Sequence, residues 1–445
     1  MMNCRSSISI SFALLFLFGQ TTAQPASPAA APSAVPADTR IAARCVRALT
    51  DVMVHDITAP PVASRSYVYS LIAFYEAARP GDTSYKSFAG RLNELGTLPK
   101  PEPNAVYNWL VAGAESFREV AYTFVFSKQL FRESWDSINI MLQRPIPKDV
   151  YERSMAFGHQ VATSLLAWIR EDHYIRTRSM TRFTPGVKPG EWQQTGPDYM
   201  EAVEPHWDLI RPLTLTKAHQ FSIPEPAPFG SAAFKKEVRE VFDTSAALTD
   251  DQTACARFWD CNPYATQTVG HLMYSVKKIS PGGHWIGITT QTIATRQLSL
   301  TAALYAYSLV GIAIFDGFIA AWDEKYRTNY VRPITAIQQS LSPTWQPLLQ
   351  TPPFPEYPSA HSVISMASAT VLTALYGDGF HYTDSTEISF GLPGRSFSSF
   401  IAAAKEAAVS RMYGGIHFRE AIVNGEDMGR QVGEQLVAKL QVAPL

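Results

Sequence analysis

Apolar residues recur at helical spacing along most of the chain. The stretches Ala43–Asp56, Ser64–Ala78, Ala105–Gln129, Arg132–Met141, Asp149–Ile169, Ser231–Leu248, Ile293–Tyr326, Ser362–Tyr376, Ser398–Met412 and Phe418–Leu440 each carry an apolar stripe that would share one face of a helix. Strand-type alternation is scarce. The pattern predicts an all-α protein made of packed bundles, with the polar, proline-rich stretch Thr181–Glu225 as the candidate junction between them.

Two apolar runs need separate readings. Leu298–Phe315 carries no charge over 18 residues, the lower bound for a membrane helix, but it contains Ser, Thr, Tyr and Gly and runs straight into Asp316. It reads as a central buried helix, and no other stretch offers a convincing span. Near the amino terminus, Arg5 precedes the run Ile8–Phe18, and Thr21-Thr22-Ala23 forms a cleavage-like site. Residues 1–23 therefore read as a secretory signal peptide, which implies an exported, periplasmic or secreted, product. Residues 24–39, rich in Pro, Ala and Ser, read as a flexible tether.

Composition narrows the class. A chain of 445 residues, 46% apolar and 17% charged, can bury an ample core and could hold two domains. Its formal charge of -1 argues against a nucleic-acid surface. No zinc-type Cys/His spacing, Walker loop or Rossmann glycine fingerprint is present. Cys4 would leave with the signal peptide; Cys255 and Cys261 could then bridge a local loop and leave Cys45 over, or all three could lie unpaired and buried.

The chemistry lies in three short motifs in the last third: Lys325-x6-Arg332-Pro333, Pro358-Ser359-Ala360-His361 and Ser410-Arg411-x5-His417. Brought together, Lys325, Arg332 and Arg411 supply three positive charges, and the two guanidinium forks suit a tetrahedral oxyanion. Arg332 precedes a proline and should approach from an extended segment. Ser359 stands before the apolar run Ser362–Tyr376, closed by Gly377, and reads as a helix N-cap. The first N–H groups of that helix, including that of Ala360, would face the same anion. His361, in the first turn, could act as general acid or base. His417 follows the Gly414-Gly415 break; its imidazole could attack phosphorus or coordinate vanadium, and both uses fit one geometry. The other histidines, His55, His159, His173, His206, His219, His271, His284 and His381, have no partner motif and read as surface or structural groups.

These motifs, with the stretches Asp316–Pro333, Thr351–Ser362 and Ser410–Arg419, resemble the vanadium-dependent haloperoxidase and type-2 phosphatidic acid phosphatase superfamily, its soluble bacterial haloperoxidase branch most. The resemblance implies two helical bundles with the site in the C-terminal one, here a domain over 40–215 and a second over 216–445. It implies that Lys325, Arg332, Ser359, Ala360 and Arg411 hold vanadate oxygens, that His417 is the axial vanadium ligand, and that His361 is the acid-base group. Trp322 and Phe354 stand where chloroperoxidase-like members line the halide side. Two positions depart from the family pattern. Ala360 replaces a usual glycine, and Ala421 stands where many members carry the aspartate that follows the liganding histidine. The partner that orients the other ring nitrogen of His417 is thus unassigned, with Glu420 and Asp316 as candidates.

Three functions follow from the resemblance and the residues. In the first, the chain oxidises halide with hydrogen peroxide at a His417-bound vanadate and so halogenates small organic acceptors. In the second, it is a secreted acid phosphatase that cleaves phosphate monoesters through a phosphohistidine at His417, without vanadate. In the third, it binds oxyanions without turnover.

Overall fold

Fourteen α-helices lie among the described residues, 35–143, 146–269 and 271–445 of the computed structural model, and seven of them start on a side-chain cap. They are α1 (Ala37–His55), α2 (Pro60–Ala78), α3 (Trp109–Phe124), α4 (Lys128–Leu142), α5 (Lys148–Arg170), α6 (Tyr174–Arg178), α7 (Ala232–Ala246), α8 (Asp250–Phe258), α9 (Pro281–Arg296), α10 (Leu300–Thr328), α11 (Pro333–Ser340), α12 (Ala360–Tyr376), α13 (Phe400–Tyr413) and α14 (Arg419–Lys439). Two short antiparallel hairpins complete the described secondary structure: β1 (Thr266–Val269) with β2 (Leu272–Ser275), and β3 (Tyr382–Asp384) with β4 (Arg395–Phe397). The all-α expectation holds.

Local signals set the boundaries, and some differ from the periodicity. The run expected as one helix over Ile293–Tyr326 is broken, because Gln297 adopts a left-handed conformation (φ 51°) that ends α9. The Ser299 hydroxyl then accepts from the Ala302 N–H and starts α10. The expected Ala105–Gln129 helix begins only at Trp109, capped by the Asn108 side chain, and stops at Phe124. α1 starts at Ala37, so the last three residues of the expected tether are helical. The expected signal peptide, and the tether through residue 34, lie outside the described residues.

α10 is the axis of the molecule. It is the one helix among the described residues long and apolar enough to cross a membrane, and its most apolar window is 100% buried inside the protein, as a core helix requires. One side of it packs on α2, which joins α3 and α5; the other packs on α12, which joins α13 and α14. α10 thus touches both groups of helices, and Val35–Leu445 forms one compact unit. The glycines Gly425, Gly429 and Gly433, four residues apart on α14, let it lie against α12; a Cβ at Gly429 would fall 2.2 Å from the Val363 carbonyl oxygen. Cys45, Cys255 and Cys261 are all free and buried, which decides against the Cys255–Cys261 bridge.

Candidate active site

The three motifs converge where the ends of α10, α12 and α13 meet. Lys325 sits in the last turns of α10. Arg332 is the extended residue (φ -80°, ψ 152°) before Pro333 opens α11, as the X-Pro rule predicts. Ser359 caps α12, its hydroxyl accepting from the Ser362 N–H at 3.3 Å. Its N–H is held by the Ala421 carbonyl at 3.0 Å. Arg411 lies in the last turn of α13, and the turn at Gly414 and Gly415 (φ 74°) brings His417 back. Lys325, Arg332, Ser359, Glu356 and Arg411 are fully buried, and His417 nearly so.

Their hydrogen bonds are incomplete in an informative way. Arg332 gives Nε to the Phe354 carbonyl (2.9 Å) and Nη1 to the Ile416 carbonyl (2.9 Å), and Nη1 also lies 3.2 Å from His417 Nε2. Its Nη2 has no partner among the described residues. Arg411 gives Nε to Ser410 Oγ (3.0 Å) and Nη2 to the Ala256 carbonyl (3.3 Å), while its Nη1 is likewise buried without a partner. His361 Nε2 is a third such atom. A buried guanidinium N–H left unpaired costs on the order of 1–3 kcal/mol, so two of them beside an open ring nitrogen describe a receptor for an anion.

Lys325 is placed differently. All three of its protons go to main-chain carbonyls, of Pro355 (2.9 Å), Glu356 (2.9 Å) and Pro358 (2.5 Å). Burial and the Arg332 charge push its pKa well below the ordinary value. Three acceptors exceed the two protons of a neutral amine, however, and so favour the ammonium. Burial lowers Arg332 to about 10 and lowers Arg411 as well. A group of buried cations held below their normal basicity is what a counter-anion would relieve.

His417 is oriented by Glu356. Its Nδ1 lies 2.8 Å from Glu356 Oε1, which also accepts the Phe418 N–H at 2.9 Å. That oxygen is therefore an acceptor, Nδ1 carries the proton, and the lone pair is on Nε2, on the side of Arg332. Burial pushes the Glu356 carboxyl up to about 8 against the pull of Arg332. Burial and the Arg332 charge hold His417 well below the usual histidine value; burial and Arg411 do the same for His361.

The two other expected partners of His417 are engaged elsewhere. Asp316 accepts from the Leu213 N–H (2.7 Å), the Thr214 N–H (2.7 Å) and the Thr214 hydroxyl (2.5 Å), so it fastens a strap to α10 and does not serve the site. Nine residues before Lys325, it falls on the opposite side of the helix. Glu420 accepts from the Ala227 N–H at 3.2 Å. Glu356 was missed, although it stands inside the segment that carries Ser359 and His361, because its bond to His417 spans 61 residues.

Trp322, Phe354, Ala360, His361 and His417 line one cavity of about 20 Å³, together with residues of the 261–264 loop. Trp322 is fixed by Nε1 donating to the Val203 carbonyl (3.1 Å), and its ring lies 5.0 Å from that of Phe354. The Phe354 face looks toward both Lys325 Nζ (5.1 Å) and the Arg332 guanidinium (5.0 Å).

Known proteins carry the same architecture. A family model described as the VCPO second helical-bundle domain matches residues 305–443, which hold every residue of the three motifs. The crystal structure described as the first bacterial vanadium-dependent iodoperoxidase is 40% identical, with a TM-score of 0.85, covering 90% of this chain and 96% of that one. The chain belongs to the vanadium-dependent haloperoxidase family. More remote members share the fold. A holo-type bacterial vanadium-dependent chloroperoxidase superposes with a TM-score of 0.65 at 17% identity, covering 86% of this chain and 93% of that one. An apo-type chloroperoxidase gives 0.62 at 18% identity, covering 88% and 94%. No curated protein sequence matches the chain. The haloperoxidase relatives depend on vanadium, and the residues here fit its oxyanion: two guanidinium N–H groups without partners, a helix N-terminus, and an imidazole whose Nε2 lone pair is fixed.

Proposed function

We propose that this haloperoxidase oxidises halide, iodide foremost, with hydrogen peroxide at a vanadate held by Arg332, Arg411, Ser359, the Ala360 N–H and His417. The observation that carries the reading is the pair of unpartnered guanidinium donors, Arg332 Nη2 and Arg411 Nη1, beside the open His361 Nε2. The iodide preference is supported by the activity for which the 40% identical relative is named.

Bound vanadate would supply a Lewis-acidic centre that activates peroxide toward halide without changing its own oxidation state. The chain's residues do the rest. Arg332 and Arg411 neutralise the anion and fix its oxygens through fork geometry. The Ser359 hydroxyl proton, not used by its capping bond, donates from the helix end. His417 presents Nε2 as the ligand atom, and Glu356 Oε1 keeps the proton on Nδ1. His361, held neutral by burial and Arg411, accepts at Nε2 the proton that peroxide must lose and returns it to the leaving oxygen. Lys325 acts through charge, since its protons secure the Pro355–Pro358 turn. Trp322 and Phe354 exclude water and present polarisable rings to a soft halide.

The test compares iodide, bromide and chloride oxidation by the protein, with and without orthovanadate, beside phosphate-ester hydrolysis by the vanadate-free protein. Vanadate-dependent turnover, fastest with iodide and absent in His417→Ala, is expected. Hydrolysis inhibited by vanadate, with a phosphohistidine trapped at position 417 and no halide turnover, would overturn the reading.

A further inference from the structure

A second constellation of ligand-type side chains lies behind one wall of the cavity. Cys261 follows α8, His284 is in the first turn of α9, and Glu387 sits in the 3-10 turn Thr386–Phe390 between β3 and β4. All three are buried. Their potential ligand atoms form a tight triangle. His284 Nδ1 is 3.3 Å from Cys261 Sγ and 3.1 Å from Glu387 Oε1, and Sγ is 3.9 Å from Oε1.

We propose that Cys261, His284 and Glu387 form a zinc site. The point equidistant from the corners of a triangle with sides 3.3, 3.1 and 3.9 Å lies about 2.0 Å from each. Zinc bonds are about 2.0–2.1 Å to imidazole nitrogen, about 2.0–2.2 Å to carboxylate oxygen and about 2.3 Å to thiolate sulfur. A small displacement from the plane toward a fourth, water-occupied position satisfies all three. One thiolate, one imidazole and one carboxylate is a borderline set that suits zinc over calcium or magnesium.

The surroundings are those of a metal-ligating histidine. The other ring nitrogen, Nε2, is held by Asp384 Oδ2 at 2.7 Å, which fixes the ring and leaves Nδ1 toward the triangle. Asp384 is held in turn by the Thr386 N–H at 2.9 Å and by Gln291 Nε2 at 3.3 Å. The Trp259 ring stacks on the imidazole with centroids 4.5 Å apart. Sequence spacing could not reveal the site, because its ligands lie 23 and 103 residues apart on three separate segments. Its place in the fold gives it a use: Cys261, Asn262, Pro263 and Tyr264 are part of the cavity wall over His361 and His417. A metal there would anchor that wall to α9 and to the β3–β4 hairpin.

The experiment uses the full chain free of vanadate, so it is independent of the anion site. After chelator treatment and titration with cobalt(II), the wild type should bind one cobalt per chain with the near-ultraviolet absorption of a thiolate–cobalt bond. Cys261→Ser should lose that absorption and Cys255→Ser should keep it. Asp384→Asn should keep it with affinity weakened about 10–100-fold. No thiolate–cobalt absorption at saturating cobalt, or absorption unchanged in Cys261→Ser, overturns the proposal. Should Cys261→Ser fail to fold, zinc-edge X-ray absorption of the zinc-loaded wild type decides. One sulfur with nitrogen and oxygen scatterers supports the site, and a sulfur-free shell refutes it.

Discussion

Glu356 Oε1 holds His417 Nδ1 at 2.8 Å from a turn that Lys325 itself grips by the carbonyls on either side of it. One side chain thus sets the tautomer of His417, and one ammonium sets the position of that side chain. Removing the carboxylate frees the ring and unpairs the Phe418 N–H. Glu356→Ala is therefore expected to weaken orthovanadate binding about 10–100-fold, while Glu356→Gln, whose amide oxygen can still accept, loses less. Equilibrium binding of vanadate to the three proteins checks this; unchanged affinity in Glu356→Ala would remove Glu356 from the site.

The histidines give the site a pH signature. In the absence of an anion, burial and Arg411 hold His361 below the ordinary histidine value of about 6.5. The unfolded chain therefore takes up a proton, as pH falls through that value, before the folded chain does, and stability is lost on the acid side. A bound dianion raises the pKa of His361, so binding takes up protons and tightens as pH falls. Sulfate, which does not itself titrate there, should raise the melting temperature more at about pH 5.5 than at about pH 8. Calorimetry across that range, with His361→Gln flattening the trend, is the measurement. A sulfate effect independent of pH in the wild type would mean that His361 does not face the anion.

What the sequence disclosed of this site, and what it hid, follows from distance along the chain. The cap at Ser359, the extended approach of Arg332 and the return of His417 after Gly414-Gly415 are local matters of hydroxyl, proline and glycine chemistry, and each was legible. The uncharged run Leu298–Phe315 was legible as core from its composition alone. Its junction with α9 was not, because periodicity continues through Gln297 while the backbone turns left-handed. The partners of His417 and Asp316 lay beyond reach, being 61 and about 100 residues distant and chosen by packing. Short hairpins such as β3–β4, held by three residue pairs, leave too little alternation to detect.

Asp316 separates stability from function. Its buried carboxylate satisfies two main-chain N–H groups and one hydroxyl of the 213–214 strap. Asp316→Ala strands these donors in the interior and should cost on the order of 3 kcal/mol of unfolding free energy. Because the side chain points away from Lys325, oxyanion affinity of the folded fraction should not change. Chemical denaturation beside vanadate titration tests both halves; a variant with normal stability and weakened vanadate binding would return Asp316 to the site.

The α12–α14 contact lies against the Ser359 cap of α12, so its closeness bears on the proposed anion site. A methyl at Gly429 would sit 2.2 Å from the Val363 carbonyl oxygen, and one at Gly425 would sit 2.9 Å from the Ser359 carbonyl oxygen. Both obstacles are main-chain atoms, one in α12 and one in its N-cap, which can yield only if the helix moves. Gly429→Ala should therefore destabilise the protein by about 1–3 kcal/mol or more through overpacking. Gly425→Ala, beside the cap, should in addition weaken vanadate binding by displacing Ser359. Gly96→Ala is the control, because its added methyl meets nothing within 4 Å. Melting temperatures that fall for the two α14 variants but not for Gly96→Ala, with vanadate affinity reduced in Gly425→Ala, are the expected pattern. An unperturbed Gly429→Ala would mean that α14 does not lie as close to α12 as the glycines allow.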